Sequence, residues 1–196
     1  MREVELKAVV EDLDGARRRL EEAGATLHFA GHLADRRFDT VERSLAARDH
    51  VLRLRVYRSE AQGSATLDWK GPTQYESGYK VREELNTPVG DPEALARILE
   101  HTGYVITMEI DREIWQYDLA GTTVRFERYP RMDDLVEVEG EPSGIEAAIR
   151  TLRLSRDSFT SDRLPAFAQR YESRTGERAI LSHAALEGRV YDVENA

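Results

Sequence analysis

Residues 2–10 read REVELKAVV. Glu3, Glu5 and Lys7 fall on one face of this stretch, and Val4 and Leu6 on the other. A period of two is the signature of a β-strand, whose successive side chains point to opposite faces. The polar face carries only carboxylates and an ammonium. It is either an ordinary solvated sheet face or one wall of a charged interior, and the rest of the chain decides between them.

The same pattern recurs. In VLRLRVYR (51–58), Arg53 and Arg55 oppose Leu52, Leu54 and Val56. In ATLDWKGP (65–72), Thr66, Asp68 and Lys70 oppose Leu67 and Trp69. GYKVREEL (78–85) puts Lys80, Arg82 and Glu84 opposite Val81 and Leu85, with Glu83 the exception. In TVRFERY (123–129), Arg125 and Glu127 oppose Val124 and Phe126, and in LVEVEG (135–140), Glu137 and Glu139 oppose Val136 and Val138. One such strand is the usual half-solvated strand of an antiparallel sheet. Six strands presenting almost pure Lys, Arg and Glu are not, because solvated faces ordinarily mix in Ser, Thr and Gln. A sheet closed on itself can turn these faces inward and leave the apolar faces outside, under helices.

Strands are predicted over 2–10, 26–39, 50–59, 64–70, 78–89, 104–118, 122–129 and 135–140, with helices over 11–25, 92–102 and 143–152. A later helix has Leu164, Phe167, Ala168 and Tyr171 on one side and Gly176 as its cap. This is an α+β protein built on a closed eight-stranded antiparallel β-barrel with a polar interior and helices packed outside. Residues 1–160 form the barrel domain. Residues 161–196 form a C-terminal extension with two open readings, closing one mouth of the barrel or pairing protomers as a homodimer.

Composition narrows the function classes. The 196 residues are 40% apolar and 33% charged, with a net charge of −9, which argues against non-specific attraction to nucleic acid or anionic membranes. With no cysteine there is no disulfide, zinc–thiolate site or thiol nucleophile. The apolar runs are too short to span a bilayer, and no signal peptide is evident, so a soluble cytoplasmic protein is expected. No Gly-x-Ser-x-Gly elbow or Walker loop occurs, and the five histidines fall at no metal-ligand spacing. Clustered glutamates call for a hard cation, Mg²⁺ or Mn²⁺, while clustered Arg and Lys call for phosphate oxygens. Together they describe a site for a metal–polyphosphate complex.

EVELK resembles the Glu-x-Glu-x-Lys signature of the CYTH superfamily, the triphosphate tunnel metalloenzymes. Class IV adenylyl cyclases, thiamine triphosphatases and inorganic tripolyphosphatases belong to it. LRLR, WKGP, REE (82–84) and EVE (137–139) follow in the family's order, over about residues 2–160. The resemblance implies that Glu3, Glu5, Glu137 and Glu139 hold a divalent metal. It also implies that Lys7, Arg53, Arg55, Lys70, Arg82 and Arg112 clamp the triphosphate, with Lys7, Arg53 and Arg112 catalytic. Strand parity adds Lys80 and Arg125 to the clamp. Two departures stand out: Ile110 occupies a position where the family carries lysine, and Glu127 replaces an aspartate among the metal ligands. The implied activity is class IV adenylyl cyclase-like, converting ATP to cyclic AMP and pyrophosphate. The alternatives are a triphosphatase acting on tripolyphosphate, thiamine triphosphate or a nucleoside triphosphate, and a non-catalytic polyphosphate-binding module.

Overall fold

Alternating side chains commit most of the chain to strands, and strand pairing closes them into a ring. The structure is a computed structural model that describes residues 2–60, 63–76 and 79–188, without the side chains of residues 2, 3, 79 and 80. In chain order the elements are β1 (Arg2–Val9), α1 (Leu13–Glu22), β2 (Thr26–Thr40), β3 (Val51–Arg58), β4 (Gly63–Lys70) and β5 (Gln74–Glu76). They continue with β6 (Tyr79–Pro88), α2 (Pro92–His101), β7 (Tyr104–Leu119), β8 (Thr122–Arg128), β9 (Leu135–Glu139), α3 (Pro142–Leu152), α4 (Leu164–Thr175) and α5 (His183–Leu186).

The sheet order is β1-β9-β8-β7-β2-β3-β4-β6, and β6 pairs back onto β1, so eight antiparallel strands form a closed barrel. Closure leaves these eight strands without an unpaired edge. The three-residue β5 lies outside the ring, paired to β6, and is too short to show a period in the sequence. The long neighbouring strands β2 and β7 carry two register irregularities, at Leu27/Phe29 and Arg37/Phe38. The second leaves Thr107 of β7 unpaired, so Ile106 joins Phe38 on the apolar outer face while Met108 lies opposite Arg37.

The hydrophobic core lies between barrel and helices. Leu6 and Ala8 of β1, Val124 and Phe126 of β8, and Val136 and Val138 of β9 meet Leu13, Ala16 and Leu20 of α1 and Ile145, Ala148 and Ile149 of α3. Each fully buried Val, Leu, Ile or Phe among them contributes about 1.5–3 kcal/mol. Helix α2 covers a second stretch of outer wall, with Ala96 and Leu99 on Phe38 and Leu54. Helix α1 starts at Asp12, whose carboxylate accepts from the Gly15 amide at 2.9 Å. Helix α3 seats tightly on β8: a Cβ at Gly144 would lie 2.1 Å from the Thr122 hydroxyl.

Downstream of the barrel the chain folds back on it. Phe167 of α4 and Leu181 pack with Met108, Ile110, Tyr129 and Leu135. The Asp111 amide donates to Leu181 O at 2.8 Å, and Arg131 and Ile180 exchange backbone bonds. Gly176, in the left-handed region, ends α4 as its sequence position predicts. Among the described residues no helix is long and apolar enough to cross a membrane.

Candidate active site

Because the apolar faces point outward to the helices, the polar faces of all eight strands meet inside the barrel. They line a cavity of about 320 Å³. Glu5, Lys7, Arg53, Arg55, Lys70, Arg82, Arg112, Arg125, Glu127, Glu137 and Glu139, all singled out by pattern or resemblance, border this one space. The side chains of Glu3 and Lys80 lie outside the described residues, although β1–β6 pairing sets Glu3 opposite Arg82 and Glu5 opposite Lys80. Glu83, the exception to the alternation, is exposed.

Two networks organise the charges. In the first, the Lys7 ammonium sits 3.1 Å from Glu5 and contacts Glu137, which also accepts from Arg125. Burial opposes the charge on Lys7, but Glu137 and Glu5 outweigh it and hold its pKa above the ordinary lysine value. Glu127 accepts from Arg112 and Arg125, each at 3.0 Å, and from the Tyr129 hydroxyl at 2.6 Å. Burial would raise the Glu127 carboxyl; Arg112 and Arg125 prevail and depress it. For Glu137, Arg125 and Lys7 likewise override burial.

The second network centres on Asp35, a residue without a role in the sequence-level reading. Arg55 donates to it twice, at 2.8 and 3.1 Å, and Arg112 donates at 2.9 Å, while Arg53 stands 3.8 Å away. Burial would raise its pKa, but Arg55, Arg112 and Arg53 hold it well below the carboxylate range. Arg53 is tied mainly to Asp68 at 2.8 Å, and Lys70 pairs with Glu84. Arg82 donates to the backbone carbonyls of Gly71 and Asp49, each at 2.7 Å, so it also pins two loops. At the edge of the cavity Arg163, Leu164 and Pro165 complete the lining, and Arg163 bonds Asp49 and Thr73.

Nine Lys or Arg and seven Asp or Glu side chains line this space, so it is net cationic inside a chain of charge −9. Such a cavity concentrates anions that the surface as a whole repels. It also holds carboxylates fit for a hard cation. Glu5 and Glu137 already share one cationic centre, the Lys7 ammonium. No group of three acidic or histidine side chains converges as a metal shell among the described residues. Glu5 and Glu137 offer the oxygen donors that a hard divalent cation takes, the rest of its shell coming from water or phosphate oxygens.

A CYTH domain family model matches residues 1–159. The chain belongs to the CYTH family. A search of curated proteins returns no match. Among solved structures, this CYTH protein resembles a Vibrio parahaemolyticus protein described as a "putative adenylate cyclase", with a TM-score of 0.74 and 18% identity over 85% of this chain and 97% of that one. The Pyrococcus horikoshii protein PH1012 aligns with a TM-score of 0.68 and 20% identity over 84% and 98% of the two chains. A Hippeastrum protein, HpAC1, described as having a dominant triphosphatase activity, aligns at 0.62 and 14% over 93% and 99%. At these identities the CYTH protein shares their fold. CYTH proteins are typically metal-dependent enzymes acting on triphosphates, and this barrel has the interior that such a substrate requires.

Proposed function

We propose that this CYTH protein is a divalent-metal-dependent triphosphatase whose substrate class is inorganic tripolyphosphate and other compounds with an unsubstituted terminal triphosphate. One observation carries the reading: a cavity lined mainly by guanidinium, ammonium and carboxylate groups, cationic in sum. Guanidinium forks and ammoniums fit phosphate oxygens along a polyanion, and they stabilise charge as it moves to the leaving phosphate. Arg53, Arg55, Lys70, Arg82, Arg112 and Arg125 are the proposed clamp. Lys7 belongs to it once a cation takes over its place beside Glu5 and Glu137. Glu5 and Glu137, with Glu139 beside them, are the residues that would hold Mg²⁺ or Mn²⁺, which would neutralise phosphate charge and lower the pKa of a bound water. Glu127 is better assigned to holding Arg112 and Arg125 in place, since both of its oxygens already accept hydrogen bonds.

Hydrolysis is preferred to cyclisation because a cyclase must also seat an adenosine. The aromatic rings of the described lining are Tyr57 and Tyr129. Tyr57 is packed edge-on against Phe29, and Tyr129 donates to Glu127. Neither offers an uncommitted platform for a base. The test offers tripolyphosphate, thiamine triphosphate and ATP separately to the purified protein with Mg²⁺ or Mn²⁺. Orthophosphate release supports the proposal. Cyclic AMP with pyrophosphate from ATP replaces it with the cyclase reading, and binding without turnover replaces it with a binding module.

A further inference from the structure

Within the charged lining, Arg37 differs from its neighbours. Every other Lys or Arg of the described lining has a carboxylate or a backbone carbonyl as partner. Arg37 lines the same cavity, yet among the described residues no carboxylate stands within ion-pair distance of it. Its Nε is buried without any hydrogen-bond partner. Strand register explains the isolation. On one side Arg37 faces Arg53 of β3, and on the other it faces Met108 of β7, so its neighbours are a cation and a thioether.

A buried donor with no acceptor is costly, and a buried charge with no counter-charge more so. Among the described protein groups only Asp35 offsets part of that cost, from beyond ion-pair distance. Burial, and then repulsion from Arg53, pulls the Arg37 pKa down to about 10, with Asp35 giving partial relief and Arg82 and Arg112 adding to the repulsion. A side chain kept in so unfavourable a setting is understandable where a ligand supplies the missing anion, since stability is commonly given up at binding sites.

We propose that Arg37 is a phosphate-binding residue of this cavity, contributing its guanidinium to one phosphate group of the bound polyphosphate. The inference rests on the triphosphate reading above. It places this contact beside Met108 and Ile110, at the part of the barrel on which Phe167 of α4 packs. There Arg37 supplies a positive charge to a patch of wall where Ile110 and Met108 offer none. The residue had no role at the sequence level because Asp35, Arg36 and Arg37 are consecutive charges, which hide the alternation.

The test compares wild type with Arg37→Met and Arg37→Lys in two measurements. Calorimetric titration with inorganic tripolyphosphate, without divalent metal, should show wild-type binding and a loss of about 10–100-fold in Arg37→Met. Arg37→Lys should fall between them. Thermal melting of the ligand-free proteins should leave Arg37→Met at least as stable as wild type, because the substitution removes an unpaired buried charge. A structural arginine would instead lower the melting temperature by several degrees. Equal tripolyphosphate affinity in wild type and Arg37→Met overturns the Arg37 assignment alone. A ligand-free Arg37→Met that melts well below wild type also overturns it. Absence of tripolyphosphate binding by the wild type overturns both this inference and the triphosphate reading.

Discussion

Replacing Asp35 by asparagine should destabilise the ligand-free protein by about 3–5 kcal/mol. The magnitude follows from who is left stranded. Asp35 is 2% exposed, contacts Arg55 and Arg112 directly, and has Arg53 within 3.8 Å. At an effective dielectric of about 20, each direct contact is worth about 5 kcal/mol before desolvation is subtracted. The three losses do not add. Arg112 keeps Glu127 and Arg53 keeps Asp68, whereas Arg55 retains only the Tyr57 hydroxyl at 3.4 Å and a more distant Asp68 oxygen at 4.0 Å. The cost is therefore close to that of breaking one buried pair, about 3–5 kcal/mol. For a chain of this size it corresponds to a fall in melting temperature of about 6–20 °C. Urea and thermal denaturation followed by circular dichroism would measure it, each with and without tripolyphosphate. The polyanion should restore part of the loss, because it meets the same guanidiniums. A change below about 1 kcal/mol, or a loss of the same size with ligand present, would refute Asp35 as the hub of the arginine cluster.

Three further outcomes are expected. Glu5→Ala should abolish Mg²⁺- or Mn²⁺-dependent phosphate release while the far-ultraviolet circular dichroism stays that of a folded barrel, since Lys7 keeps Glu137; retained turnover would remove Glu5 from the metal site. Arg55→Ala should weaken tripolyphosphate binding by about 1.5–3 kcal/mol in calorimetry, and unchanged affinity would place Arg55 outside the clamp. The pH dependence has a defined sign. Asp35, Glu127 and Glu137 have pKa values depressed in the folded protein, so their stabilisation is complete above the ordinary carboxylate range. For Glu127 and Glu137 it is lost as pH falls from about 4.5 toward the folded values near 2, and for Asp35 it is lost only below the ordinary carboxylate range. Urea midpoints measured across that window should fall, and midpoints independent of pH there would contradict these ion pairs.

Much of the barrel is legible in the chain because its strands are two-sided in the simplest way, charged inward and aliphatic outward. Arg53 and Arg55 against Leu52 and Leu54 give the orientation of β3 without any knowledge of its neighbours. Strand β2 hides its contribution. Leu33 shares a face with Asp35 and Arg37, and Arg36 on the other face pairs with Glu93 of α2, so neither face is purely one kind. The parity of Asp35 with Arg37 was the available signal. Its meaning depends on β2 lying between β3 and β7, and that adjacency follows from how the whole sheet closes. The pairing of particular acids with particular bases is set by the same adjacency. Glu127 stands between Arg112 and Arg125, a contact pattern that its place in the sequence alone does not show.

Ring closure also fixes when the site can come into being. Strand β1 carries Glu5 and Lys7, and its partners are β6 on one side and β9 on the other, with Glu5 opposite Glu139. During synthesis this first strand leaves the ribosome long before the segment that must flank it. Contacts between such distant parts of a chain form slowly, because a large loop must be closed before any pairing energy is returned. In the closed fold the aliphatic row of that strand, Val4, Leu6 and Ala8, packs with residues of α1, β8, β9 and α3 together. Glu5 and Lys7 thus meet Glu137 and Glu139 only once the last strand of the ring has paired.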